Sequence, residues 1–175
     1  MSANAINRRN FLHRTGRSGI ALAAAASLHK AGKAVAANDR IHMALIGCGG
    51  RGTHLMAMMK EIDSAVQFVA VSDAYEPKRM RGAEMAGEGA QPFVDHRRLL
   101  ERKDIDAVVI ATPEHQHGTQ VIDAVAAGKD VYVEKPMIYS VEEGVRIIEA
   151  VRKTDRIVQA GMQRRNSSSH IPQGR

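Results

Sequence analysis

The feature that most restricts the fold is a glycine run, Gly47-Cys48-Gly49-Gly50-Arg51-Gly52, set between an apolar segment of strand length (41–46) and a segment of helical period (50–62). Gly47, Gly49 and Gly52 stand at G-x-G-x-x-G spacing, and each position has its own physical requirement. Gly47 suits a tight turn, Gly49 lets a ligand approach the backbone, and Gly52 lets helix and strand pack closely. A helix starting in such a loop offers free N–H groups and the positive end of its dipole to phosphate, with Cys48 and Gly50 adding backbone contacts. Arg51 is placed either to reach a phosphate or to stand solvated at the helix start. The loop alone is not specific, because methyltransferases use a similar one for a different cofactor.

The rest of the chain supplies context. Strand-like runs at 41–46, 67–72, 107–111, 131–134 and 157–160 alternate with helical segments at 50–62, 77–87, 115–127 and 141–154, and a short one near 95–101. Alternation of this kind predicts βαβ units, and so an α/β fold of Rossmann type: a doubly wound parallel sheet with helices on both faces. The runs VQFVAVS and DAVVIA are apolar nearly throughout, as strands covered on both faces require. Asp73 ends the second strand about twenty residues after the glycine loop, where a carboxylate accepts hydrogen bonds from the adenosine ribose hydroxyls. Strand, glycine loop, helix, strand and acid in that order predict dinucleotide binding. Because Asp73 repels a 2′-phosphate, NAD is favoured over NADP.

Composition narrows the alternatives. A net charge of +6 suggests nucleic acid only if it is spread along the chain, and it is not. Residues 1–36 carry Arg8, Arg9, Arg14, Arg17, Lys30 and Lys33 and no acid, which leaves the remainder formally neutral. Aromatics make up 3% of the chain, too few for a single-strand stacking platform, so no nucleic-acid partner is expected. The one cysteine, Cys48, excludes an intramolecular disulfide and a cysteine-rich zinc site. His115 and His117 lie two positions apart on different helix faces with no third ligand evident, so no metal is expected.

The basic opening, the apolar stretch 20–28 and the tripeptide Ala34-Val35-Ala36 follow the plan of a secretory signal, with cleavage after Ala36. Arg8-Arg9-Asn10-Phe11-Leu12 is similar to the twin-arginine motif, which implies export of a folded protein to the periplasm or another extracytoplasmic site. The apolar stretch is far shorter than the ~20 residues a spanning helix needs, so no permanent membrane anchor is expected.

Two further motifs lie at strand ends, where open α/β sheets bind ligands: Ala111-Thr112-Pro113-Glu114-His115-Gln116-His117 and Glu134-Lys135-Pro136. With GCGGRG, Asp73, AGKDVYVEKP and VQAGMQRR in the same order, residues 40–165 resemble the Gfo/Idh/MocA oxidoreductase family. The resemblance implies that Lys135 lies beside nicotinamide and substrate with Glu134 and Pro136 shaping its loop. It also implies that Thr112 and Pro113 border the cofactor and that His117 is the family's second-motif histidine, a catalytic candidate with Lys135. Glu114 departs from the family's commoner Asn or Asp. A lysine at a strand end beside a cationic ring suits proton transfer, and the Lys135–Pro136 bond is a candidate for cis.

The implied organisation is a signal peptide (1–36), an NAD-binding Rossmann domain (37–161) and the truncated start of a missing substrate domain (162–175). The resemblance implies hydride transfer with a sugar or polyol, with little turnover by these 175 residues alone, and leaves homo-oligomerisation possible. Two alternatives stay open, an NAD-dependent glycosidase of the same fold and a non-catalytic NAD-binding remnant.

Overall fold

A computed structural model describes residues 40–162. The proposed signal segment and the C-terminal residues from 163 onward lie outside the described residues.

The elements, in chain order, are β1 (Ile41–Ile46), α1 (Gly50–Ile62), β2 (Val66–Ser72), α2 (Glu76–Ala86), β3 (Gln91–Phe93), α3 (His96–Leu100), β4 (Ala107–Ile110), α4 (Glu114–Ala126), β5 (Asp130–Glu134), α5 (Val141–Arg152) and β6 (Val158–Gly161). All strand pairs are parallel, in the order β3-β2-β1-β4-β5-β6. That order reverses direction between β1 and β4, which opens a crevice beyond their carboxyl ends. The expected Rossmann-type sheet is therefore observed.

Side-chain alternation explains why both faces are covered. On β1 and β4, Ala44, Ile46, Val108 and Ile110 join a core with Leu99, Leu100, Val121, Val125 and Ile147, from α3, α4 and α5. Leu45 and Val109 point the other way, into a core with Leu55, Met56, Phe68, Val71 and Ala86, which brings in α1 and α2. A strand buried on both faces has no polar side to show, hence the continuous apolar runs.

One strand departs from the sequence expectation. β3 is three residues long and contains Pro92, whose missing N–H argues against a strand on sequence grounds. It is tolerated because, among the described residues, β3 is an edge strand paired only to β2. The ladder continues past the strand ends: Gly47 N–H donates to the Ser72 carbonyl, Asp73 N–H to Phe93 and Ala111 N–H to Ile46. These bonds set Gly47, Asp73 and Ala111 side by side along one rim.

Helix ends follow their sequence signals. Ser140 caps α5 by accepting from the Glu143 N–H, and Asp95 caps α3 by accepting from Arg97. Gly128, with φ of 77°, ends the segment after α4. Buried Lys129 donates to the carbonyls of Arg102 and Ile105, tying the turn before β4 to the start of β5.

Candidate functional site

The glycine loop shows its constraints atom by atom. Gly47 has φ of 94°, and a Cβ there meets the carbonyl carbon of Ala111 at 2.7 Å. A Cβ on Gly52 overlaps the Gly47 carbonyl oxygen and reaches Leu45 Cδ1 at 3.1 Å, so α1 packs on β1 only because Gly52 has no side chain. Gly49 and Gly50 have nothing within 4 Å of a Cβ and face open space at the start of α1. The loop is thus a cradle whose walls are fixed by two glycines and whose floor is bared by two others.

Asp73 is built into that cradle. Its Oδ2 accepts the Cys48 N–H at 2.8 Å and its Oδ1 accepts the Tyr75 N–H at 2.9 Å. Arg79 donates to the Asp73 carbonyl at 2.8 Å, turning this cation to the backbone. The carboxylate is partly exposed at the cleft wall with lone pairs remaining on both oxygens, which suits a pair of ribose hydroxyls. The Cys48 N–H therefore has Asp73 as its partner and serves to orient the acid. The Cys48 side chain is buried against α2, where a Cβ on Gly82 comes within 2.7 Å of its sulfur. Burial, reinforced by the Asp73 charge, pushes its thiol up to about 12.

Two adjoining compartments run along the rim. The first, about 750 Å³, is lined by Gly47, Gly49, Gly50, Asp73, Thr112 and Pro113, among others. The second, about 530 Å³, is lined by Arg51, Ala111, Thr112, Glu114, His117, Glu134 and Lys135. Arg51, Ala111 and Thr112 belong to both. A dinucleotide needs such a bipartite cleft, with phosphates at the junction and one ribose-base unit to each side.

Arg51 is neither simply solvated nor simply directed at phosphate. Its Nε donates to Glu134 Oε1 at 2.6 Å, so the first turn of α1 is clipped to the end of β5. Glu134 is buried, and its Oε2 accepts the Lys135 N–H at 3.1 Å. Lys135 itself is exposed, and its bond to Pro136 is cis.

His117 is buried at 2% exposure. Its Nδ1 lies 2.7 Å from the Pro136 carbonyl and its Nε2 2.8 Å from that of Thr112. The ring thereby bridges the loops after β4 and β5. Thr112 is held further by Gln120, through Oγ1 to Oε1 at 2.6 Å. His115 is exposed, and among the described residues no cluster of His, Cys, Asp or Glu is arranged for a metal.

Sequence reasoning missed the far wall of the first compartment: Lys78, Val94, His96, Arg97, Gln116 and Gln120. Val94, His96 and Arg97 follow β3, so missing that strand hid its loop. His96 is anchored by Asp123 at 2.9 Å, with Arg97 beside the same carboxylate at 3.5 Å. Gln116 and Gln120 lie one turn apart on α4, and a buried Gln120 beside His117 on an otherwise apolar face was the available signal.

Comparison with known proteins agrees with this geometry. Residues 41–162, more than half of the chain, match the Gfo/Idh/MocA model, described as an oxidoreductase family with an NAD-binding Rossmann fold. The chain is 35% identical over 129 residues to scyllo-inositol 2-dehydrogenase (NAD(+)) of Bacillus subtilis, covering 72% of this chain and 36% of that protein. It is 33% identical over 132 residues to inositol 2-dehydrogenase 2 of Saccharopolyspora erythraea, covering 75% and 39%. Among solved structures, the WlbA dehydrogenase of Chromobacterium violaceum, in complex with NADH and UDP-GlcNAcA, superposes with a TM-score of 0.69 at 26% identity, covering 73% of this chain and 36% of that one. The chain thus spans little more than a third of the length of the curated relatives it matches. With fold, cradle and family match in agreement, the chain belongs to the Gfo/Idh/MocA oxidoreductase family, and its Rossmann domain takes NAD as cofactor.

Proposed function

We propose that this chain provides the NAD-binding domain of a dehydrogenase that moves a hydride between NAD and a sugar or polyol. The observation that carries the reading is that the two compartments adjoin at Arg51, Ala111 and Thr112, with Asp73 lining one and Lys135 the other. Bound NAD supplies the hydride acceptor. The loop Gly47 to Gly52 seats the pyrophosphate, Asp73 takes the adenosine ribose hydroxyls and disfavours a 2′-phosphate, and Thr112 and Pro113 border the cofactor.

Lys135, as its neutral amine, would take the proton from the substrate hydroxyl while the carbon bearing that hydroxyl loses its hydrogen as hydride. His117, with both ring nitrogens at backbone carbonyls, keeps the loops carrying Thr112 and Pro136 at a fixed separation, so its part is positioning. The names of the inositol dehydrogenases support a cyclic polyol as substrate class. Because Lys135 stands in solvent, the described residues alone neither exclude water nor fix a substrate, and turnover by this unit is slow.

The test is a single-turnover assay with stoichiometric chain, NAD and a panel of inositols and aldoses, read by NADH fluorescence. A polyol-dependent signal that falls about 100-fold or more in Lys135→Gln supports the reading. An equal signal in that variant, or a folded chain that takes up no NAD, overturns it.

Export by the twin-arginine route to an extracytoplasmic site is the second part of the proposal, supported by Arg8-Arg9-Asn10-Phe11-Leu12 and Ala34-Val35-Ala36. It requires a mature N-terminus at Ala37 in the exported fraction, lost when Arg8 and Arg9 become Lys. An uncleaved chain kept in the cytoplasm contradicts it.

A further inference from the structure

We propose that Arg51 is a positioning residue that transmits occupancy of the phosphate cradle to the backbone of Lys135, through Glu134. The link is continuous. Arg51 lies in the first turn of α1, whose N–H groups form the cradle, and its Nε donates to Glu134 Oε1 at 2.6 Å. The other oxygen of the same carboxylate accepts the Lys135 N–H at 3.1 Å. Glu134 is buried, and its two oxygens hold the Arg51 guanidinium on one side and the Lys135 N–H on the other, so the two donors meet on one carboxylate.

Chemistry supplies the driving force. Arg51 is 40% exposed, borders both compartments and carries four N–H donors on its Nη atoms besides the Nε. A pyrophosphate at the α1 N-terminus attracts that guanidinium and shares it with Glu134. The carboxylate then turns or tightens, and the Lys135 N–H on its far oxygen moves with it. The backbone bearing the reactive amine thereby shifts as the cofactor's phosphates are seated. The consequence for Lys135 rests on the reading of that residue as the substrate-side lysine.

ADP is the probe, because it carries adenosine and pyrophosphate but lacks the nicotinamide half that reaches Lys135. It is titrated into the ¹⁵N-labelled chain while the Lys135 amide resonance is followed, for wild type, Arg51→Lys and Glu134→Gln. In wild type the Lys135 amide shifts in step with ADP occupancy. In Arg51→Lys, which keeps the charge but loses the fork, ADP binds roughly tenfold more weakly and the Lys135 amide stays in place at saturation. Glu134→Gln, with one acceptor oxygen in place of two, also loses the shift. A Lys135 amide that is stationary while wild type fills with ADP, or that moves equally in Arg51→Lys, overturns the relay alone. A folded wild type that does not bind ADP overturns the cofactor reading and the relay with it.

Discussion

Replacing Gly52 by Ala separates packing from intrinsic preference. In a helix interior, Ala is favoured over Gly by about 1 kcal/mol, so preference alone makes Gly52→Ala stabilising. The structure reverses the sign. The new methyl overlaps the Gly47 carbonyl oxygen and stands 3.1 Å from Leu45 Cδ1. A carbonyl cannot rotate away as a side chain does, so α1 must lift from β1, a change in the class of overpacking that costs about 1–3 kcal/mol. The site sits toward the upper end because the obstacle is backbone, leaving a net loss of about 1–2 kcal/mol and a melting temperature lower by roughly 3–8 °C.

Gly49→Ala is the control. Gly49 has φ of −68° and ψ of 176°, open to any residue, and its Cβ meets nothing within 4 Å. Its cost to folding is about 0.5 kcal/mol as an N-cap change. The methyl projects into the cleft where phosphate must approach backbone N–H groups, so NAD affinity falls roughly 10- to 100-fold. Circular-dichroism melts with NAD calorimetry measure both effects. A Gly52→Ala protein as stable as wild type, or a Gly49→Ala protein binding NAD normally, refutes the packing argument.

Three further outcomes follow from particular contacts. With its thiol pushed up to about 12 by burial, Cys48 stays protonated and resists a thiol reagent in the native protein, reacting only after denaturation; rapid native labelling contradicts its burial. Lys129→Met leaves the Arg102 and Ile105 carbonyls without their donor and lowers unfolding free energy by about 1–3 kcal/mol in a urea titration, against no change if those bonds are incidental. The hydrogen bond from Arg102 holds the Asp104 carboxyl below its ordinary range, so its contribution is present above the unfolded value, about pH 4, and is lost as pH falls through the folded value. Because Asp104 is half exposed, the gap between wild type and Asp104→Asn in urea midpoint is worth at most about 1 kcal/mol and closes below about pH 4; a gap that widens on acidification contradicts the assignment.

Much of the fold was legible because its signals are local. Apolar runs mark strands covered on both faces, and Gly47 and Gly52 mark a turn and a close contact that no other residue permits. What escaped depended on contacts far apart in sequence. β3 is held by pairing with β2 and by its edge position, neither of which its own three residues reveal. The Arg51–Glu134 pair joins positions 83 residues apart, and nothing near Arg51 names its partner. The anchoring of His117 between the carbonyls of Thr112 and Pro136 likewise exists only once two loops have met, so the motif gave a histidine without its geometry. Asp73 was readable as a strand-end acid, but its two backbone donors, which fix the carboxylate at the cleft wall, come from the folded loop.

The most direct test of the central claim is calorimetric titration of NAD into the chain, with NADP and the Asp73→Ala variant alongside. Saturable one-to-one binding of NAD, weaker binding of NADP, and loss of roughly 10-fold or more in affinity in the variant are predicted. A folded chain that takes up no NAD, or binds it equally well without the Asp73 carboxylate, contradicts the account.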